Sequence, residues 1–298
     1  MGIEFRRVEK TYSDGTQAVR DVSFAVPSHT TTVLLGSSGC GKTTLLRMVN
    51  RMVDPTAGQV HIDGEDIAAA APVQLRRSIG YVMQHSGLLP HRRVVDNVAT
   101  GLRLNGARRG AARSQAEELL ELVGLDPALG SRYPDQLSGG QQQRVGVARG
   151  LAGDPNILLM DEPFGAVDPL VRQELQHQMR RLQSELRKTV LFVTHDIEEA
   201  LSLGDQIIVL RPGGEIAQVG TAQELVSAPA DDFVARFVGL VDGRRRLRTS
   251  PGSEGEWVVS DAEGRPLGVV EAPQADPAER SGTPGRAGTY ERFESESR

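Results

Sequence analysis

The chain has 298 residues, a net charge of −5 at pH 7 and a single cysteine, Cys40. That length holds one large α/β domain with its own core plus an appendage, and the charge gives no general reason to expect nucleic acid as a partner. One thiol excludes a disulfide framework and points to a reducing compartment, while the lack of any apolar run near ~18 residues, or of an apolar signal region in residues 1–7, leaves a membrane role to a partner.

Residues 3–10 and 18–26 alternate as strands across the turn residues Ser13, Asp14 and Gly15. Tyr12, beside that turn, serves either as a packing residue or as a flat surface for an adenine ring. The apolar run 32–35 reads as a buried strand, and residues 44–49 read as a helix closed by Asp54-Pro55. Between them lie Gly36, Ser37, Ser38, Gly39, Cys40, Gly41, Lys42, Thr43 and Thr44, which fit the phosphate-loop pattern G-x-x-x-x-G-K-[ST]. A strand, a glycine-rich turn and a helix start are the context this pattern needs. Unpaired amides and the helix dipole favour phosphate there, and the glycines let backbone approach it. Lys42 is expected to reach the β- and γ-phosphates of a nucleotide, and the Thr43 hydroxyl to ligate Mg²⁺. Cys40 occupies a slot of the loop that tolerates many residues.

Residues 58–62 and 79–83 read as further strands, the second ending at Gln84. From about 85 to 153 the pattern turns helical. Residues 94–104 and 114–123 carry apolar residues at helical spacing, with a basic loop expected over 105–113. This stretch reads as a helical subdomain inserted between strands of one sheet. Within it, Leu137-Ser138-Gly139-Gly140-Gln141 opens a helix that Ser138 caps, giving a second helix N-terminus with free amides.

Residues 156–162 form a buried strand that ends in two carboxylates. Asp161 is placed to hold Mg²⁺ through water, and Glu162 to orient or deprotonate an attacking water; two solvated acids at a strand end is the alternative. Asp168 precedes a long amphipathic helix over 169–186. The strand 190–194 ends at His195, a position where a histidine is either structural or catalytic. A hairpin around Gly213-Gly214 and two short helices finish the domain near Gly239.

Taken in order, the phosphate loop, Gln84, Leu-Ser-Gly-Gly-Gln at 137–141, Asp161-Glu162, Asp168 and His195 resemble the ATP-binding-cassette ATPases across residues 1–240. The resemblance implies an α/β fold: a P-loop NTPase core with a mainly parallel sheet, an N-terminal antiparallel β subdomain and an inserted helical subdomain. It makes Tyr12 the adenine-stacking aromatic, Gln84 the lid glutamine that senses Mg²⁺ and the membrane partner, and His195 the switch residue on the γ-phosphate. Valine at 167 departs from the leucine more usual before Asp168 and keeps an apolar contact. The family works as a head-to-tail dimer, so Ser138, Gly139, Gly140 and Gln141 of one copy act on ATP held by the other. With one phosphate loop and one signature here, a homodimer is the simplest arrangement.

A narrower likeness joins residues 81–91, 160–169 and 219–225, followed by Asp232-Phe233-Val234, to the ATPases of bacterial osmoprotectant importers, which take up quaternary amines such as glycine betaine, choline or carnitine. It implies transmembrane permease subunits, a separate extracellular solute-binding protein, and a peripheral place on the cytoplasmic face of the membrane. An importer of another small polar solute such as an amino acid, or a soluble cassette protein acting on nucleic acid or ribosomes, are the alternatives. Residues 256–260 and 264–270 resemble one β-hairpin of the cystathionine-β-synthase-type modules that follow in such relatives. The tail 241–298 is therefore expected to be a truncated remnant of one module, with a disordered end.

Overall fold

The computed structural model describes residues 1–84, 86–165, 167–240, 247–251, 256–261 and 263–270. His85 and Ala166, which belong to the stretches read above, and the terminal residues 271–298 lie outside the described residues. The chain divides into two compact units, Met1–Leu240 and Val241–Arg298.

In the first unit, strands β1 (Ile3–Thr11) and β2 (Gln17–Val26) lead to β3 (Thr31–Gly36) and helix α1 (Lys42–Val49). Then come β4 (Ala57–Ile62), β5 (Glu65–Asp66), α2 (Pro72–Ser78) and β6 (Ile79–Val82). Helices α3 (Val94–Leu104), α4 (Arg109–Leu122) and α5 (Gly139–Leu151) intervene before β7 (Ile157–Asp161). The unit continues with α6 (Pro169–Leu186), β8 (Thr189–Thr194), α7 (Ile197–Leu203), β9 (Gln206–Arg211) and β10 (Glu215–Gly220), and closes on α8 (Ala222–Ser227) and α9 (Asp232–Phe237).

The central sheet has six strands in the order β10-β9-β3-β8-β7-β6, parallel except for β10, which runs antiparallel to β9. Its inner strands are near-continuous apolar runs, as a sheet covered on both faces requires. Successive side chains leave on opposite faces. Val33, Leu35, Leu158, Met160, Val190 and Phe192 join one core with the helical insertion, α6 and the C-terminal helices. Leu34, Ile157, Leu159, Leu191 and Val193 join a second core with α1, β1 and β2. The antiparallel sheet, ordered β2-β1-β4-β5, contributes Phe5 and Phe24, cross-strand partners whose rings stack 4.3 Å apart.

The insertion α3–α5 separates β6 from β7 in sequence, yet these strands are hydrogen-bonded neighbours. Gly80 on β6 lets α5 come close: a Cβ there would lie 2.3 Å from the Gly150 carbonyl oxygen. Asn97 on α3 is fully buried. Its amide holds the segment after Gln84, accepting from Leu89 N at 2.7 Å and donating to the Leu89, Arg92 and Arg93 carbonyls.

Two local expectations are corrected, and one helix is added. Helix α4 begins at Arg109, inside the stretch read as a basic loop, because Ala112 and Ala116 extend the buried stripe of Leu120 at intervals of four. Helix α1 stops at Val49, with Asn50 at its C-cap and Arg51 at φ 55°, before Asp54-Pro55 is reached. Helix α7 was not anticipated, although Asp196 caps it by accepting from the Glu198 and Glu199 amides.

The second unit contains a three-stranded antiparallel sheet of β11 (Arg248–Pro251), β12 (Trp257–Ser260) and β13 (Pro266–Val270). The expected hairpin is β12–β13, and β11 lines the other edge of β12. Trp257, Leu267, Val269 and Val270 are exposed on these strands.

Gly80→Ala should lower stability by about 1–3 kcal/mol, the usual cost of overpacking, because the added methyl would meet the Gly150 carbonyl oxygen at 2.3 Å, backbone that cannot swing aside, as well as the Leu158 and Pro155 side chains. Chemical denaturation checks this; an unchanged midpoint would mean that α5 does not sit against β6 as described.

Candidate functional site

The parallel register of β3, β8, β7 and β6 puts the C-terminal ends of all four strands on one rim of the sheet. Gly36–Thr44, His195, Asp161-Glu162 and Gln84 follow those ends in turn, and this is where α/β sheets collect ligand groups.

After β3, Gly39 and Gly41 take φ values of +80° and +94°. A Cβ on Gly41 would lie 2.2 Å from the Ala18 carbonyl oxygen, so glycine is required there twice over. Gly41 is also the N-cap of α1, no side chain caps that helix, and its first turn holds no acid. The first amides of such a helix have no intrahelical acceptor. Lys42 is buried, its Nζ donating to the Gly36 and Ser37 carbonyls at 2.7 and 2.8 Å. Ser37, Ser38 and Gly39 are exposed at the turn. Cys40 instead points into the protein, and burial pushes its thiol pKa up against the opposing Lys42 charge. Tyr12 is partly exposed, its hydroxyl 3.1 Å from Thr44 Oγ1 and Lys10 Nζ 5.4 Å from its ring centroid.

Thr43 Oγ1 donates to Asp161 Oδ1 at 2.8 Å. The other carboxylate oxygen, Oδ2, accepts from the Tyr81 hydroxyl at 3.1 Å and lies 3.5 Å from Arg47 Nη2. Tyr81 pairs with Leu159, two residues before Asp161, so both side chains leave the same face of neighbouring strands. Burial, then the Asp161 charge, push the Tyr81 phenol up to about 12, opposed by Arg47. The phenol therefore stays a donor. Sequence reasoning missed both residues; the signals were the four-residue spacing of Arg47 from Thr43 on α1 and the strand alternation.

Glu162 has φ 45°, an uncommon value for a residue with a side chain. Its amide donates to the Val193 carbonyl at 3.0 Å. Gln84 Nε2 donates to Glu162 Oε2 at 3.1 Å, and His195 Nδ1 lies 3.2 Å from the same oxygen. Residues from two neighbouring strand ends thus converge on one oxygen of a residue from a third. The flanks of Gln84 are tied to α5: Gln143 Nε2 donates to the Met83 carbonyl at 3.4 Å, and the Arg149 guanidinium donates to the Ser86 and Gly87 carbonyls at 2.6 Å each.

Ser138 and Gln141 form a reciprocal cap at the start of α5. Gln141 N donates to Ser138 Oγ at 3.3 Å, and Ser138 N to Gln141 Oε1 at 3.0 Å. The Gln141 amide expected to be free is therefore taken. Ser138 and Gly139 are exposed, Gly140 is buried, and Asp168 is exposed ahead of α6. Among the described residues no hydrogen bond joins 138–141 to the phosphate loop or to Glu162.

The sequence model of the ABC transporter family matches residues 19–165. The glycine betaine uptake system ATP-binding protein YehX of Escherichia coli is 46% identical over 237 residues, 80% of this chain and 76% of that protein. The chain belongs to the ABC transporter family. Among other relatives of this cassette, the choline transport ATP-binding protein OpuBA of Bacillus subtilis is 46% identical over 80% of the chain and 62% of its own length. The osmoprotectant import ATP-binding protein OsmV of Salmonella typhimurium is 49% identical over 78% and 60%. The cassette thus spans about three-fifths of the length of these two relatives. A solved ATP-binding cassette, a dimer in a post-hydrolysis state bound to ADP and Pi, superposes with a TM-score of 0.68 at 33% identity, covering 74% of this chain and 98% of that one. The cbiO1 protein of Clostridium perfringens, part of an ABC transporter complex, gives a TM-score of 0.70 at 28% identity over 80% of this chain and 94% of its own.

Ser138→Ala removes the cap of α5 and should cost about 1 kcal/mol of stability, the usual value for a lost hydroxyl cap. Urea titration of the isolated chain checks this; an unchanged midpoint would show that the cap is not held in solution.

Proposed function

We propose that this cassette is the ATP-hydrolysing subunit of an importer for osmoprotectants such as glycine betaine, choline or carnitine. The observation that carries the catalytic reading is the convergence of Gln84 and His195 on one oxygen of Glu162, beside the Thr43–Asp161 pair and the uncapped start of α1. The solute class is supported by the names of the relatives, which are proteins of glycine betaine, choline and osmoprotectant transport.

The site suits a nucleotide triphosphate with Mg²⁺. The left-handed backbone at Gly39 and Gly41 shapes the loop ahead of the uncapped start of α1, and the oxygens available to the metal, Thr43 Oγ1 and Asp161, are the hard donors that Mg²⁺ prefers. Its remaining ligands would come from phosphate, water and the Gln84 side chain. Mg²⁺ would neutralise phosphate charge as the γ-phosphoryl departs. In this reading Tyr12 offers the adenine the ring face opposite Lys10. The loop amides and Lys42 hold the phosphates, with Lys42 moving from the Gly36 and Ser37 carbonyls to phosphate oxygens. Gln84 and His195 fix Oε2 of Glu162, and Oε1, which accepts no hydrogen bond among the described residues, takes the proton of an attacking water.

Both sites of a dimer need what one chain holds apart. A second copy would bring Ser138, Gly140 and Gln141 onto ATP bound by the first, with Asp168 at the same seam. Nucleotide binding would close the pair, and hydrolysis would reopen it. Among the described residues no helix is long and apolar enough to cross a membrane. On this reading, which the transport names of the relatives support, the cassette sits on the cytoplasmic face of a membrane, beneath permease subunits that a separate solute-binding protein serves.

Glu162→Gln should slow ATP hydrolysis by about 10²–10⁴-fold, the range for a general base, while ATP binding and ATP-dependent dimerisation persist. Phosphate release and size-exclusion chromatography test it, and wild-type turnover in the variant removes Glu162 from this role. Lys42→Ala should weaken ATP binding itself, read by equilibrium titration with a fluorescent nucleotide; unchanged affinity removes Lys42 from the phosphates.

A further inference from the structure

Among the described residues, a single buried side-chain nitrogen or oxygen has no hydrogen-bond partner: Nε of Arg172, in the first turn of α6. Buried polar groups are almost always paired, so this one needs a reason. The rest of its guanidinium is engaged in two directions. Toward its own helix start, Nη2 donates to the Val167 carbonyl, next to Asp168, at 3.5 Å. Across to α7, Nη1 donates to Asp196 Oδ2 at 3.2 Å.

Asp196 is the residue after His195, and its other oxygen caps α7 through the Glu198 and Glu199 amides. Beneath the cap lies Glu199, 3% exposed, with one oxygen accepting from Thr194 Oγ1 at 2.6 Å. Its second oxygen, Oε1, stands 3.9 Å from the unpaired Arg172 Nε, just beyond hydrogen-bond reach. A donor lacking an acceptor thus faces a carboxylate oxygen across a gap that a shift of about 1 Å between α6 and α7 would close.

We propose that Arg172 is a positioning residue that ties the turn carrying Asp168 to the turn carrying His195, so that the two move as one. Resting on the ATPase reading above, this link lets the Asp168 turn act, through Asp196, on the turn that carries the histidine steadying Glu162. The unpaired Nε marks a second arrangement within reach, in which the guanidinium engages Glu199 as well as Asp196. Only a planar fork can hold Val167 O, Asp196 and Glu199 together; a lysine ammonium, a point charge, cannot.

The test is Arg172→Lys in the full chain, alone and combined with His195→Ala, with Glu199→Gln as a milder second variant. Expected is an ATP KM within about twofold of wild type, a kcat lower by about tenfold, and a His195→Ala effect much smaller in the Arg172→Lys background than in wild type. Amide exchange at Glu198 and Glu199 should also accelerate. Wild-type kcat in Arg172→Lys, or losses from the two substitutions that multiply independently, overturns the proposal. If Arg172→Lys does not fold, the same cycle on Glu199→Gln decides: coupling to His195→Ala supports the link, and independence overturns it. If the wild-type chain hydrolyses no ATP, the functional reading fails by itself, and the link is then judged on exchange: unchanged rates at Glu198 and Glu199 in the variant overturn it.

Discussion

The shared direction of four neighbouring strands is the constraint on which this site depends. Because β3, β8, β7 and β6 run parallel and in register, residues separated by more than 150 positions in the chain end at one edge. Parallel strands cannot be joined by tight turns, so each needs a long crossover. The crossovers are what the chain uses for everything else: α1 behind the phosphate loop, the helical insertion before β7, and α6 between Glu162 and β8. The sheet is covered on both faces, and the spacing among the strand ends that lead to the phosphate loop, to Glu162 and to His195 is set by the backbone hydrogen bonds of the parallel ladder.

Within that frame, two carboxylates that adjoin in sequence are given separate environments. Asp161 is buried, with Thr43 on one oxygen and Tyr81 and Arg47 at the other. Glu162 turns away through its positive φ and presents one oxygen to Gln84 and His195. The left-handed backbone at Glu162 is what separates them. An extended conformation would send the two side chains to opposite faces of the strand, and only one of them to the rim. Backbone strain of this kind persists where its surroundings over-determine it; here the bond from Glu162 N to the Val193 carbonyl does so.

Much of this was legible in the sequence, for reasons that are local. The phosphate loop, the apolar strands and the Ser138 cap each announce themselves within a few residues, and the order of the short signals indicated the family that the matches show. What stayed hidden depends on distant partners. Tyr81 reads as one more apolar strand residue until β6 is paired with β7. Asn97 reads as a polar residue in a helix until the chain at 89–93 folds over it. Arg172 and Glu199 read as ordinary surface charges, since their burial is decided by how α6 meets α7. The start of α4 was obscured by arginines whose helical register shows only in the small residues Ala112 and Ala116.

The short bridge around Gln84 has a mechanical consequence. Its two ends are fastened to α5, by Gln143 on one side and the Arg149 fork on the other, and α5 itself is braced against β6 where Gly80 meets Gly150. That arrangement acts as a lever with its fulcrum at the two glycines and its short arm at Gln84. A tilt of α5 would carry with it the amide that holds Oε2 of Glu162, a residue that directly follows β7 of the sheet.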